Sequence, residues 1–436
     1  MQDWQKIYQD KLRDVDQAVQ LVRDGDTVYT GTASSEAYQL SMALWKRKDD
    51  FSNVTICSAT TSRVLPFYTE EAKGHFSILT YFAGVAERAA MKVNNCRYTS
   101  LHLSNIRGWC QEVSGITVAF FEVSPPDRYG YMSLGAEGPA MHRAVVEVAD
   151  RIILQVNKEV PYVYGQDNLI HVSEADVIVE ADDPIDEFPD LPLTDDVKQL
   201  SEYIVREIPD GATIQLGLGG ISGAVGYGLT NKKDLGVHSE MMTGSMKYLM
   251  EEGVITNRKK TFMPGKTVCS FAMGTRDLYE FIDRNPEIYM GEYTFVNNPY
   301  NIAKNELMMS VNTAMSVDLY GQVCADNLGG RQQSATGGQL DYVRGAQMSK
   351  GGKSFIALTS VLEKKGKKQS KIVASFPPGT AITTPRQDVQ YLVTEYGCVN
   401  LRELTIDQRA KAMISLAHPD FREELTDQAK QLGLIN

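Results

Sequence analysis

Short runs rich in β-branched and aromatic residues, from "DTVYTG" and "NVTICS" to "SFIALTS" and "QYLVTEYG", alternate along this chain with helical patterns such as "SSEAYQLSMALWKRK" and "DDVKQLSEYIVREI". Strands separated by helices cannot be joined by tight hairpins. The alternation therefore restricts the chain to α/β domains on parallel or mixed sheets. A length of 436 residues exceeds what one hydrophobic core serves, so two domains are expected. The stretch "EADDPIDEFPDLPLTDDV", residues 180 to 197, is rich in Pro and Asp, lacks periodicity and reads as the linker. The expected domains are residues 1–185 and 186–436.

An internal echo favours two related domains. "LVRDGDTVYTGTASSEA" and "REIPDGATIQLGLGGISGA" share a helix end, a DG turn, a strand and a closing glycine, so that Asp24, Gly25, Thr27 and Gly31 match Asp210, Gly211, Thr213 and Gly217. Each half then offers a second strand, "NVTICSATT" in the first and "LGVHSEM" in the second. The second carries a carboxylate, Glu240, where the first has small polar residues around Ser58 to Thr60.

A formal charge of -11 without a Lys/Arg block argues against nucleic acid or an anionic membrane as partner. The one basic run, "LEKKGKKQSK", reads as a solvated hairpin. Six scattered cysteines show no CxxC pair or metal spacing and read as reduced core thiols. The N-terminal "MQDWQKIYQDKLRDVDQAVQLVRDGD" reads as one amphipathic helix rather than a signal peptide, and no long apolar span follows. A soluble, cytoplasmic protein is expected.

The glycine run "QLGLGGISGAVG" stands where a strand gives way to a helix, so backbone amides there face little steric bulk. Several chemistries compete for it. A dinucleotide fingerprint fits at Gly217 and Gly219, with Glu240 at the distance of a ribose ligand, but Ser222 stands at its third position. A nucleophile elbow around Ser222 lacks its second glycine, which is Ala224. A plain packing turn needs no chemistry. Glu240, just before a glycine-punctuated turn, reads as a loop charge, a ribose ligand or a nucleophile.

"GVHSEMMTG", "QLGLGGISGAV", "SVDLYGQV", "SATGGQLDYVRGA", "LVTEYGCVNLR" and "RAKAMISLAHPDFREEL" together resemble the acetyl-CoA hydrolase/transferase family of class I CoA-transferases. The resemblance is greatest to its 4-hydroxybutyrate and butyrate:acetate CoA-transferase branches. It runs from "WQKIYQDKL" through "VSPPDRYGYMSLG" and "VNKEVPYVYG" to the C-terminus. It implies a class I CoA-transferase-like fold of two α/β domains and transfer of CoA between a short-chain acyl-CoA (butyryl, 4-hydroxybutyryl or acetyl) and a free carboxylic acid. CoA is then a substrate, with no cofactor and no metal. The implied route is ping-pong through an acyl-glutamyl anhydride and a glutamyl-CoA thioester, with Glu240 as nucleophile.

The resemblance also places Asn297, in "FVNNP", and the amide of Gly338, in "TGGQLD", beside the oxyanion. Read without it, Asn297 is an Asx turn before Pro299 and Gly338 a packing turn. Gly217, Gly219 and Gly220 border the thioester, and Gln339, with Asp341, shapes the CoA cleft. Departures cluster around the acyl pocket, where "MMTGS" follows the glutamate. There Gly31 leaves room for an acyl chain, and Arg63 is placed to meet a carboxylate. Glu395 and His418 read as structural. A homo-oligomer is the expected assembly. A thioester hydrolase on the same scaffold and a non-catalytic CoA or dinucleotide binder are the alternatives.

Overall fold

The computed structural model describes residues 3–61, 63–189, 192–217 and 219–436. Two compact units divide it. The first contains the chain up to Pro189 together with Val268–Val296, and the second continues to Thr267 and resumes with Asn297–Asn436. Of the expected linker, residues 181–189 and 192–194 carry no helix or strand, while Asp190 and Leu191 lie outside the described residues.

Seven apolar runs of the first unit form one sheet: β1 (Thr27–Thr32), β2 (Val54–Ala59), β3 (Phe76–Thr80), β4 (Cys96–Tyr98), β5 (Val118–Val123), β6 (Arg151–Val156) and β7 (Val177–Glu180). They lie in the order β4-β3-β2-β1-β5-β6-β7, and every pairing is parallel. Every residue of β2 and β5 is buried, as a sheet covered on both faces requires. Alternate side chains feed separate cores. Val28, Ile56, Val118 and Phe120 pack on one face, and Tyr29, Cys57, Ala119 and Phe121 on the other.

The N-terminal segment departs from the single helix expected. It forms α1 (Trp4–Lys11) and then α2 (Val15–Ala18). Between them the Arg13 N–H donates to the Ile178 carbonyl at 2.9 Å, and the Asp14 side chain accepts from the Gln17 N–H at 2.7 Å, capping α2. A backbone partner on β7 and a new N-cap outweigh continuation of the periodic pattern.

In the second unit, β8 (Thr213–Leu216), β9 (Gly236–Met242), β10 (Met308–Thr313), β11 (Lys353–Ala357), β12 (Tyr391–Thr394) and β13 (Gly397–Asn400) run in the order β9-β8-β10-β11-β12-β13. All pair in parallel except β13, which turns back antiparallel on β12. The two faces again separate, with Ile214, Val237, Val311 and Phe355 in one core and Ile356, Leu392, Leu340 and Val343 in another. The basic run forms an exposed hairpin, Val361–Lys364 against Lys367–Ser370.

The echo between the halves has a structural basis. In each unit the first strand after the DG turn is flanked by the next strand on one side and a later one on the other. The Asp24 carboxylate accepts the N–H groups of Ser52 and Asn53, and Gly25 N–H donates to Asn53 O at 3.0 Å. Likewise Asp210 accepts from Lys233 N–H at 2.9 Å, and Gly211 N–H donates to Lys233 O at 2.8 Å. Both glycines have positive φ, +89° and +75°. The pairings Thr27 with Thr55 and Thr213 with Gly236 fix the correspondence of the second strands, and counting along them puts Ala59 at the position of Glu240. Only the second unit has a carboxylate there.

Candidate active site

Glu240 lies near the C-terminal end of β9, the end at which open α/β sheets place their ligands. Strand alternation sends Val237 and Ser239 to one face and Glu240 to the other, where helix α4 begins. Here α3 is Gly220–Gly228 and α4 is Gln339–Met348, with Gly338 as the N-cap of α4. The residue keeps a partly exposed edge, while its carboxyl is enclosed by protein.

Two donors converge on that carboxyl. Asn297, fully buried, donates from Nδ2 to Glu240 Oε2 at 2.6 Å, and the Gly338 backbone N–H also hydrogen-bonds the carboxyl. A side chain at 338 would displace the carboxyl and its donor. A Cβ built there would stand 2.0 Å from Glu240 Oε2 and 2.3 Å from Asn297 Nδ2. Burial pushes the Glu240 carboxyl up to about 7, and the charge of buried Asp341, in the first turn of α4, pushes the same way. The Asn297 and Gly338 hydrogen bonds act in the opposite sense without cancelling it. A buried carboxyl thus sits poised near neutrality, with Oε2 held by Asn297 and Oε1 left free of Asn297.

The Asx turn that competed for Asn297 belongs to its neighbour. Asn298 caps the helix Pro299–Ala303, its side chain accepting from Tyr300 N–H at 2.9 Å.

The glycine run divides in two. Gly217 is a packing position, its Cβ site 3.3 Å from Val311 O and Asn312 Oδ1, while Gly219, at φ +119°, caps α3 with open space where a side chain would be. Gly220 opens the helix, and Leu218 lies outside the described residues. Ser222 is buried, with no hydrogen-bond partner for its Oγ, so it is not the exposed serine of a nucleophile elbow.

Three further sequence readings meet contacts that the chain makes with itself. At Gly31 the space that a side chain would take is occupied by the chain itself. The Gly31 φ is +98° and a Cβ would lie 2.2 Å from Ser35 O, so the chain's own turn fills it. Arg63 meets a carboxylate of this chain, chelating Asp186 through Nε and Nη2 at 2.8 to 3.1 Å. Gln339 directs its amide into the protein, with Nε2 donating to Thr313 O at 2.8 Å and Oε1 accepting from Thr384 Oγ1 at 2.9 Å. Thr384 lies 45 residues further on, and no local pattern marks it.

Glu395 is buried and accepts from the Ser360 N–H at 2.9 and 3.1 Å. His418 Nδ1 accepts from Asp420 N–H at 3.2 Å, capping the last helix. Among the described residues no helix is long and apolar enough to cross a membrane.

Comparison with known proteins places these residues in context. The model of the acetyl-CoA hydrolase/transferase N-terminal domain matches residues 1–188, and that of the C-terminal domain matches residues 274–429. The 4-hydroxybutyrate coenzyme A transferase of Clostridium kluyveri is 40% identical, over 98% of this chain and 99% of its own length. The butyryl-CoA:acetate CoA-transferase of Anaerostipes caccae is 34% identical over 97% of each chain. Among solved structures, RipA from Yersinia pestis superposes with a TM-score of 0.94 at 34% identity, covering 99% of this chain and 100% of RipA.

Proposed function

The chain belongs to the acetyl-CoA hydrolase/transferase family, and from that premise we propose that it transfers coenzyme A between a short-chain acyl-CoA and a free carboxylic acid, with Glu240 as the nucleophile. Butyryl-, 4-hydroxybutyryl- and acetyl-CoA are the candidate substrates, in keeping with the names of the relatives. The observation that carries this reading is the pair of donors on the Glu240 carboxyl, Asn297 Nδ2 on Oε2 and the backbone N–H of Gly338, a residue whose Cβ would stand 2.0 Å from that oxygen.

Glu240 Oε1 attacks the thioester carbonyl carbon, the C–S bond breaks, and CoA leaves as thiolate, which gives a mixed anhydride. The thiolate then attacks the glutamyl carbonyl carbon, the anhydride C–O bond breaks, and the first acid departs as carboxylate, leaving glutamyl-CoA. An incoming carboxylate repeats the two steps in reverse. No proton or electron is gained or lost overall. Each addition to the glutamyl carbonyl puts negative charge on Oε2, which already accepts from Asn297 Nδ2, with the Gly338 N–H as a second donor to the same carboxyl, and removing one such donor typically costs about 2.7 to 4 kcal/mol of barrier. Burial of the carboxyl strips the water that would otherwise blunt its nucleophilicity and raises its basicity.

Trapping tests the covalent step. Borohydride should inactivate the protein only after incubation with acyl-CoA, since the glutamyl thioester is reducible and the carboxylate is not, and peptide mass mapping should locate the change at Glu240. Inactivation independent of acyl-CoA, or mapped to another residue, contradicts the assignment.

The pH profile gives a second test. Only ionised Glu240 attacks, so kcat/KM should rise with pH and level off above a midpoint of about 7. A midpoint in the ordinary glutamate range, near 4.5, would mean that the nucleophile does not occupy this buried environment.

A further inference from the structure

Resting on the reading of Glu240 as nucleophile, we propose that Gln339 and Thr384 form a positioning pair that sets the Gly338 N–H against the Glu240 carboxyl. Gly337, at φ +59°, and Gly338 precede α4 in succession, and such a pair leaves the backbone direction loosely determined by local sterics. The donor is nevertheless held to a position where its own Cα has no room for a side chain beside Oε2. An anchor beyond the glycines is therefore required, and Gln339, the next residue, supplies it.

The Gln339 side chain joins three segments at the start of α4. Its Nε2 donates to Thr313 O, at the end of β10, and its Oε1 accepts from Thr384 Oγ1. Thr384 is fully buried within residues 374–390, a stretch with no helix or strand of its own, and is tied in turn by its N–H to Val323 O at 3.3 Å. A buried hydroxyl that loses its partner is costly, so this linkage resists slippage. The hydrogen bonds of the Gln339 amide go to Thr313 and Thr384 rather than to Glu240. Gln339 acts through Gly338, and the shape of the amide, with a donor toward Thr313 and an acceptor toward Thr384, explains why glutamine suits the position.

The test is Thr384→Val, which removes the hydroxyl at nearly constant volume, with Thr384→Ser as the conservative control. A misplacement of about 1 Å can cost about 100-fold, so partial loosening of one donor should lower kcat about tenfold. KM for acyl-CoA should stay within about twofold, because the mechanism assigns the pair no substrate contact. In protein labelled with carboxyl-13C glutamate, whose Glu240 signal is identified by its loss in Glu240→Gln, the titration midpoint should move upward, since a weaker donor stabilises the carboxylate less. Thr384→Ser should recover most of both effects. If Thr384→Val does not fold, Gln339→Met provides the same two readings. A folded variant with unchanged kcat and unchanged midpoint overturns the proposal. A rise in KM alone also overturns it, and returns Gln339 to direct CoA binding. If the unmodified protein transfers no CoA but Thr384→Val still moves the Glu240 midpoint, the positioning role stands and the transferase reading falls.

Discussion

Glu240→Gln is expected to abolish CoA transfer while making the folded protein more stable at alkaline pH. The amide is no nucleophile toward a thioester, but its oxygen still accepts from Asn297 and the Gly338 N–H, so the fold loses neither hydrogen bond. The stability gain follows from linkage. A carboxyl raised from an ordinary 4.5 to about 7 in the folded state favours its protonated form there. Below the unfolded value it costs nothing. The cost grows as pH rises through the interval and is complete above about 7, where it amounts to about 3 kcal/mol. The variant should therefore melt above the unmodified protein at pH 8 and together with it at pH 4. Chemical denaturation at the two pH values checks the sign, and acetate-dependent turnover of a short acyl-CoA checks the chemistry. Residual transfer at the unmodified rate would remove Glu240 from the mechanism altogether.

Gly338→Ala is expected to lower kcat at least about 100-fold with little change in fold. The backbone at 338, with φ -95° and ψ 8°, is open to alanine, and exchanging glycine for alanine at an N-cap typically costs under about 1 kcal/mol. The added methyl has no such freedom. It would stand 2.0 Å from Glu240 Oε2 and 2.3 Å from Asn297 Nδ2, so the carboxyl and its donor must both retreat by more than about 1 Å, enough for a 100-fold loss by positioning alone. The fall should appear in kcat, with unfolding by circular dichroism close to that of the unmodified protein. Normal kcat in this variant would show that Gly338 does not approach the reacting carboxyl.

Much of the architecture was legible in the chain because it depends on neighbours in sequence. The β-branched runs became strands, the DG turns became the left-handed glycines that tie Asp24 and Asp210 to the next strand, and "LEKKGKKQSK" became an exposed hairpin. The N-terminal pattern misled, because its break between α1 and α2 depends on Ile178, far along the chain. Glycines were the hardest to read. Gly31, Gly217 and Gly338 all look like room for a ligand, yet one accommodates its own turn, one packs on β10, and only the last borders a candidate reactive group.

By itself, the sequence determined the alternation of strand and helix, the internal duplication and a carboxylate at the end of the second strand in one half only, since periodicity, turn chemistry and residue type are properties of short stretches. Tertiary structure alone decided that Arg63 is neutralised by Asp186 and that Gln339 reaches Thr313 and Thr384, and it set Asn297 against Glu240, a placement that only the family resemblance had implied. It also enclosed the Glu240 carboxyl, and burial pushes it up to about 7. Each of these depends on which groups are brought within a few ångströms and cut off from water, and separations of 26 to 123 residues leave no trace of that in any local pattern.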